Sequence, residues 1–400
     1  MSFLVSMQNT LAMLSLSLGV ALGNASSPVP SHSAMYSVNQ AKVNVAYKQE
    51  DLLGLDDQLW GSLNKQGDRQ ALLTSIDHSL RYLQSAEAAS AYQQYAIPGI
   101  TRDRVIRSLV RFRQLVVTSQ SPQELQQAVK NEFVFYESVG KDDKGTVLFT
   151  GYYEPIYQAS RTRTAEYRYP LYKIPPDFAS WPKPHPKRAE LEGMDGLLGA
   201  KSPLQGQELV WLRDRMEAFL VQIQGSAKLQ LTDGTTMTVG YAGGTDYPYT
   251  SIGRELAKDG RLPLDGLTLP VLIKYFQQNP LELNKYIPRN QRFVFLQDTK
   301  GGPATGVINV PVTPDRSIAT DKSLMPPGAL ALVYTRLPYP NAAGKIEQRL
   351  VSRYVLDQDT GSAIKGPGRV DYFMGTGKVA GDRAGVTGSV GRLYYLVIKD

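Results

Sequence analysis

The chain has 400 residues, with 44 Lys and Arg against 37 Asp and Glu, for a net charge of +7. Apolar residues make up 42% and charged ones 20%, the balance of a folded chain, and the length predicts two or three domains. There is no Cys, and the three His (His32, His78 and His185) lie far apart in sequence. Disulfides, thiolate metal sites and Cys nucleophiles are therefore excluded, and a His-based triad or metal cage is not expected. Acid–base chemistry must rest on carboxylates, Lys or Tyr, with neither metal nor cofactor expected. The basic excess is not gathered into an arm, so nucleic acid is not an expected partner. It reads either as an ordinary mixed surface or as attraction to an anionic polymer.

Residues 1–41 contain no Asp, Glu, Lys or Arg, and Leu11–Leu22 is a mostly apolar run followed by Gly23-Asn24-Ala25-Ser26. The run falls short of the ~20 residues of a membrane span. A secretory signal peptide over 1–25 is the expectation, although its first residues lack the usual Lys or Arg. An uncleaved N-terminal anchor and a disordered tail are the alternatives. Residues 26–50, rich in Ser, Pro, Ala and Val, read as a linker.

Helices come next. Leu73, Ile76, Leu80 and Leu83 recur at helical spacing, and Thr101 opens a second segment with Val105, Leu109 and Phe112 aligned. Ser121-Pro122-Gln123-Glu124 is a capping box with Pro at the first helical position. From Val147 the pattern turns to β: Val147–Pro155 is a strand ending at a Gly/Pro break, and 156–205 suits extended, loop-rich structure. Trp211–Ile223 has helical period, Leu229–Val239 reads as a hairpin turning at Asp233-Gly234, and helices are expected near 250–259 and 268–278. Short β segments follow at Arg292–Leu296, Gly306–Val312, Ala329–Tyr334, Leu350–Asp357 and Leu393–Ile398. They suggest a small barrel or sandwich.

The densest group of chemically capable residues lies near the end, from Leu356-Asp357-Gln358-Asp359-Thr360-Gly361 to Arg369-Val370-Asp371-Tyr372-Phe373. Asp is poor inside strands, so Asp371 between apolar and aromatic neighbours needs a reason to be there. Such surroundings disfavour the charged carboxylate and favour a proton-holding acid. Asp359 also fits an ordinary Asp-Thr-Gly turn, and a turn or ion-pair role stays open for both. Tyr152, Tyr153 and Tyr241 suit either sugar stacking or a core. Gly375-Thr376-Gly377 with Gly381 reads as a turn, because no strand–turn–helix setting is expected around it.

Several of these segments together resemble the MltA family of lytic murein transglycosylases. The motifs are Phe149-Thr150-Gly151-Tyr152-Tyr153-Glu154-Pro155 with Tyr169-Pro170-Leu171-Tyr172, and Val221-Gln-Ile-Gln-Gly-Ser226. They continue with Tyr241-Ala-Gly243, Tyr249-Thr-Ser-Ile-Gly253, Ser317-Ile-Ala-Thr-Asp321, Pro326-Pro-Gly328 and the final Asp cluster. The resemblance spans roughly 145–400 and implies a mainly β protein with flanking helices. A six-stranded double-psi β-barrel would carry three aspartates, Asp321, Asp359 and Asp371. A second β-rich domain would be inserted after Tyr152-Tyr153-Glu154-Pro155, with a groove between the two. The implied division is 51–155 for the helices and first part of the barrel, 156–302 for the insert, and 303–400 for the rest of the barrel.

The implied activity is cleavage of the MurNAc–GlcNAc bond of peptidoglycan with formation of a 1,6-anhydro ring. Asp371 would serve as the single acid and base, Asp359 as its support and Asp321 as an architectural residue. Thr150, Tyr152, Gln224, Gly225, Ser226 and Lys365 would contact substrate. Peptidoglycan strands are the implied partner, with cell-wall synthesis or division proteins as further candidates, and the cell envelope is the implied location. Many family members carry a lipidated Cys, which this sequence lacks, so a Cys-linked anchor is not expected. Ser362 stands where the family often has a second Gly. Two other readings compete: an inverting glycoside hydrolase with Asp371 as acid and Asp359 or Asp321 as base, and a non-catalytic wall-binding module.

Overall fold

A computed structural model describes residues 34–37, 52–61, 66–95 and 97–400. The expected signal peptide lies outside them, as does most of the expected linker. The exception is β1 (Met35–Ser37), which pairs antiparallel with β2 (Phe133–Ser138). Between these strands come α1 (Arg69–Leu83), α2 (Ala86–Gln93), α3 (Arg102–Thr118) and α4 (Pro122–Glu132). Thr101 and Ser121 cap α3 and α4 as expected, accepting the amides of Arg104 and Glu124. α2, which was not anticipated, is short and Ala-rich and is capped by Ser85.

β3 (Val147–Glu154) leads across Pro155 into the middle of the chain. There lie β4 (Ile156–Ser160), β5 (Tyr169–Tyr172), α5 (Arg188–Glu192), β6 (Glu208–Leu212), α6 (Arg215–Gln224), β7 (Ser226–Leu231) and β8 (Thr236–Gly244). After them come α7 (Ile252–Lys258), α8 (Leu269–Gln278), α9 (Leu283–Tyr286) and β9 (Val294–Asp298). The six strands form one sheet in the order β5–β6–β4–β7–β8–β9. Trp211 and Leu212 belong to β6, not to the helix predicted from Trp211. The chain breaks at Asp214, whose carboxylate caps α6 through the Glu217 amide, and the 3–4 spacing of Leu212 and Met216 merely bridged that break.

The last segment supplies β10 (Ser317–Ala319), β11 (Leu330–Pro340), β12 (Ile346–Asp359), β13 (Arg369–Thr376), α10 (Lys378–Ala384) and β14 (Gly388–Ile398). With β3 these strands run β14–β11–β12–β10–β13–β3, and β14 pairs again with β3 through Gly388–Thr150 to Gly391–Val147. The result is a closed six-stranded barrel, so its strands leave no open edge. Two of its pairings are parallel, β10–β12 and β13–β3.

Gly306–Val312, expected as a strand, is a loop with one isolated bridge, Thr305–Pro311, and Asn309 has φ +56°. The expected turn at Gly375–Gly377 is in fact a strand–turn–helix, β13 into α10. A Gly within a seven-residue helix hid it: Gly381 is required because a Cβ there would lie 2.8 Å from the Tyr153 ring.

α6 ties the two sheets together. Ala218 and Val221 enter the core of the six-stranded sheet, whereas Met216, Phe219 and Leu220 enter the core shared by barrel and helices. Apolar residues on two faces of α6 are thus buried, each in a different core. Tyr249, Ile252, Leu256, Leu269 and Phe276 join that same barrel-side core. The residues before α7, together with α7 and α8, thus lie against the barrel although they come from the middle of the chain.

Candidate active site

Four neighbouring strands bring the site together. Ala319 of β10 pairs with Asp359 of β12 on one side and Asp371 of β13 on the other, and Asp371 pairs in turn with Thr150 of β3. The two aspartates are thus separated by one strand, about 10 Å between backbones at ordinary sheet spacing. The pairing shifts between Ile318 and Ala319, a bulge that re-aims side chains at this point.

Asp371 is 7% exposed, and its Oδ1 accepts the hydroxyl of the fully buried Thr150 at 2.8 Å. Burial raises its carboxyl to about 6, against the lowering effects of the Arg369 charge and the Thr150 hydrogen bond; the charge of Asp359 adds to the rise. A carboxyl so placed exchanges its proton in the range where a side chain serves well as both acid and base.

Asp359 is saturated with donors. Its Oδ1 accepts the amides of Thr360 at 2.8 Å and Val307 at 3.0 Å, and its Oδ2 accepts the Tyr152 hydroxyl at 2.9 Å. Burial pushes its carboxyl up as well, opposed by the Thr360 and Tyr152 bonds. The Tyr152 ring lies on Phe373, 5.1 Å between centroids, so this tyrosine bridges the neighbourhoods of the two aspartates.

Asp321 stands apart. It binds the Ser323 hydroxyl at 2.7 Å and the Gly366 amide at 2.9 Å, pinning one loop to another. Burial works against its charge, but these donors and the charge of Lys365 hold it below the usual range. Lys365 itself is exposed. Gln224 is 9% exposed, and its Oε1 accepts the Tyr153 amide at 3.1 Å, joining the end of α6 to β3. Gly225 follows in the left-handed conformation at φ +78°, which ends the helix, and half-buried Ser226 opens β7.

One cluster escaped the sequence reading. Asp357 is fully buried and accepts Lys322 Nζ at 2.5 Å, with Thr320 and Tyr395 hydroxyls at 2.7 Å. The same Nζ donates to the backbone carbonyl of Asp359, so the salt bridge fixes the chain at the site. An Asp in the apolar run Tyr354-Val355-Leu356 was the available signal. No group of His, Cys, Asp and Glu suited to a metal ion occurs among the described residues.

A closed six-stranded barrel carrying Asp321, Asp359 and Asp371, tied by α6 to a second β-sheet, defines a three-aspartate barrel protein with an insert. Comparison with known proteins agrees. Residues 148–297 match the MltA specific insert domain and residues 316–397 the 3D domain. The chain is 31% identical over 263 residues to membrane-bound lytic murein transglycosylase A of Escherichia coli K12, covering 65% of this chain and 68% of that one. It is similar in structure to a membrane-bound lytic murein transglycosylase from Agrobacterium tumefaciens: TM-score 0.67, 25% identity, 87% of this chain and 96% of the other covered. E. coli MltA with bound chitohexaose shares the fold, with TM-score 0.65, 24% identity and the same coverage. The chain belongs to the MltA family of lytic murein transglycosylases.

Proposed function

We propose that this protein cleaves the MurNAc–GlcNAc linkage of peptidoglycan by lytic transglycosylation, with Asp371 as the only proton-transferring carboxyl. Protonated Asp371 donates to the bridging oxygen, and the bond from that oxygen to the MurNAc anomeric carbon breaks. The Asp371 carboxylate then takes the proton of the MurNAc 6-hydroxyl as that oxygen attacks the anomeric carbon and closes the 1,6-anhydro ring. The enzyme ends with its proton restored and no water is consumed, so no second base is needed. The observation that carries this reading is the Asp371 carboxyl buried in the barrel wall against the Thr150 hydroxyl, surroundings that hold its proton above the usual carboxylate range.

Asp359 has its oxygens committed to two amides and a tyrosine hydroxyl, which suits orientation and charge better than the activation of a water. This weighs against the inverting hydrolase. Asp321 would hold loops, and Thr150 would tune Asp371. Tyr152, Gln224, Gly225, Ser226 and Lys365 would line a groove for the glycan between barrel and insert. The division at 51–155, 156–302 and 303–400 belongs to the same reading; β4 to β9 all falling in the middle segment supports it. So does a place in the cell envelope, where relatives named as membrane-bound act on murein. Among the described residues no helix is long and apolar enough to cross a membrane.

Mass spectrometry of products from sacculi tests the reaction. Muropeptides ending in 1,6-anhydro-MurNAc are expected; reducing MurNAc ends, or binding without release, would overturn it.

A further inference from the structure

Arg369 begins β13 two residues before Asp371 and projects from the same face of the strand, about 7 Å along it. It is 5% exposed, yet its Nε, Nη1 and Nη2 are all buried without a hydrogen-bond partner. Other buried arginines hold carboxylates: Arg316 holds Asp56 and Asp68, Arg353 holds Asp56 and Asp57, Arg383 holds Asp315, and Arg215 leaves only its Nε unpaired while reaching Glu192. A guanidinium removed from water with its donors unused is unfavourable, so the exception needs a cause.

The charges acting on Arg369 do not supply one. Asp371 favours its charge, but in the proposed reaction that carboxyl holds a proton for part of the cycle. Half-buried Arg254 of α7, the helix that lies against the barrel, adds a second positive charge, and Tyr249 acts on both. Arg369 thus lies under the influence of a second cation, and none of its own three nitrogens is given a hydrogen-bond partner by the fold.

We propose that Arg369, assisted by Arg254, seats a carboxylate of the substrate beside the scissile bond. The inference rests on the glycan-cleaving reading above. Murein offers this chemistry from two sources: the lactyl carboxylate of MurNAc where the peptide has been removed, and the stem-peptide carboxylates where it has not. A planar guanidinium suits either, through paired N–H donors. A GlcNAc oligomer has no carboxylate and serves as the neutral control.

Binding is measured with the full chain carrying Asp371→Asn, so that no ligand is consumed. The ligands are amidase-treated glycan strands, peptide-bearing strands and chitohexaose. Arg369→Gln is expected to weaken one or both carboxylate ligands about ten- to a hundredfold more than it weakens chitohexaose, the range for hydrogen bonds to charged groups. Selective loss on amidase-treated strands assigns the lactyl group, and selective loss on peptide-bearing strands assigns the peptide. Arg254→Gln, at a half-buried position, should shift the same preference in the same direction by a smaller factor and decides the matter if Arg369→Gln does not fold. An equal loss on all three ligands, or none, would overturn the proposal. Failure of the wild-type chain to release anhydro products from sacculi would instead sink the reading beneath it.

Discussion

Replacing Asp371 by Asn should remove activity and, at neutral pH, make the protein more stable. The amide is nearly isosteric, and its oxygen still accepts the Thr150 hydroxyl, but it has no proton to give. With one group acting as both acid and base, turnover on sacculi should fall by at least ~10³-fold. The stability effect follows from burial. The ordinary value of 3.8 rises to about 6 in the folded protein, so the native state binds this proton more tightly than the unfolded chain does. Stability is then lost as pH rises from ~4 to ~6 and stays lower above, the reverse of a salt-bridged aspartate. That interval corresponds to at most ~3 kcal/mol at pH 8, and to nothing below pH ~4. Because Asn must itself be buried, ~1–3 kcal/mol is the expected gain. Urea unfolding of both proteins at pH 4 and pH 8 measures it. Wild-type turnover in the variant would refute the assignment of the acid. Equal stability differences at the two pH values would refute a buried carboxyl that pays for its charge.

Two further substitutions should move the activity profile in opposite directions. Thr150→Val removes the hydroxyl that stabilises the Asp371 carboxylate, so the pH at which activity falls on the alkaline side should rise by ~1 unit, equivalent to ~1.4 kcal/mol; an unmoved or lowered midpoint would contradict the geometry. Asp359→Asn removes a nearby negative charge, so the same midpoint should fall, with activity reduced ~10–100-fold but not abolished. Complete loss in folded Asp359→Asn, matching Asp371→Asn, would point to a two-carboxylate hydrolase. Gln224→Ala should cost ~1–3 kcal/mol by leaving the Tyr153 amide unpaired, and should slow cleavage of long strands. Gln224→Glu keeps the acceptor and loses the amide donors; if its cleavage of long strands matches wild type, Gln224 is a structural link and not a glycan contact.

Legibility in the sequence followed the range over which each cause acts. Caps and turns act within a few residues, so Thr101, Ser121 and the Asp233-Gly234 hairpin were readable. The seven-residue α10 was not, because its Gly381 is selected by the Tyr153 ring, more than 200 positions away, against its own poor helix propensity. The buried face of α1 was shifted for the same reason. Its inner side carries Ser75 and Ser79 between Leu72, Ile76 and Leu83, polar positions that a periodicity of apolar residues passes over. They are inside because Gln358 of β12 donates to the Ser75 carbonyl and the Ser79 hydroxyl, while its own oxygen takes Ser75 and Ser317 hydroxyls.

The site obeys the same rule. That the surroundings of Asp371 disfavour its charge was legible from its apolar neighbours in sequence, but what steadies the residues around it was not. Asp359 is anchored by the Val307 amide, Tyr152 and Lys322, and only closure of the barrel brings these together. The arrangement separates two demands that conflict in a single carboxyl. A proton-transferring group needs burial and few donors, so that its charged form stays expensive. An orienting group needs many donors, which at Asp359 offset part of the cost of burying its charge. One strand, β10, lies between them and lets each aspartate sit in its own environment while their charges still interact. The opposite shifts expected from Thr150→Val and Asp359→Asn are direct consequences: the first removes a donor that makes the Asp371 charge cheaper, the second a neighbour that makes it dearer.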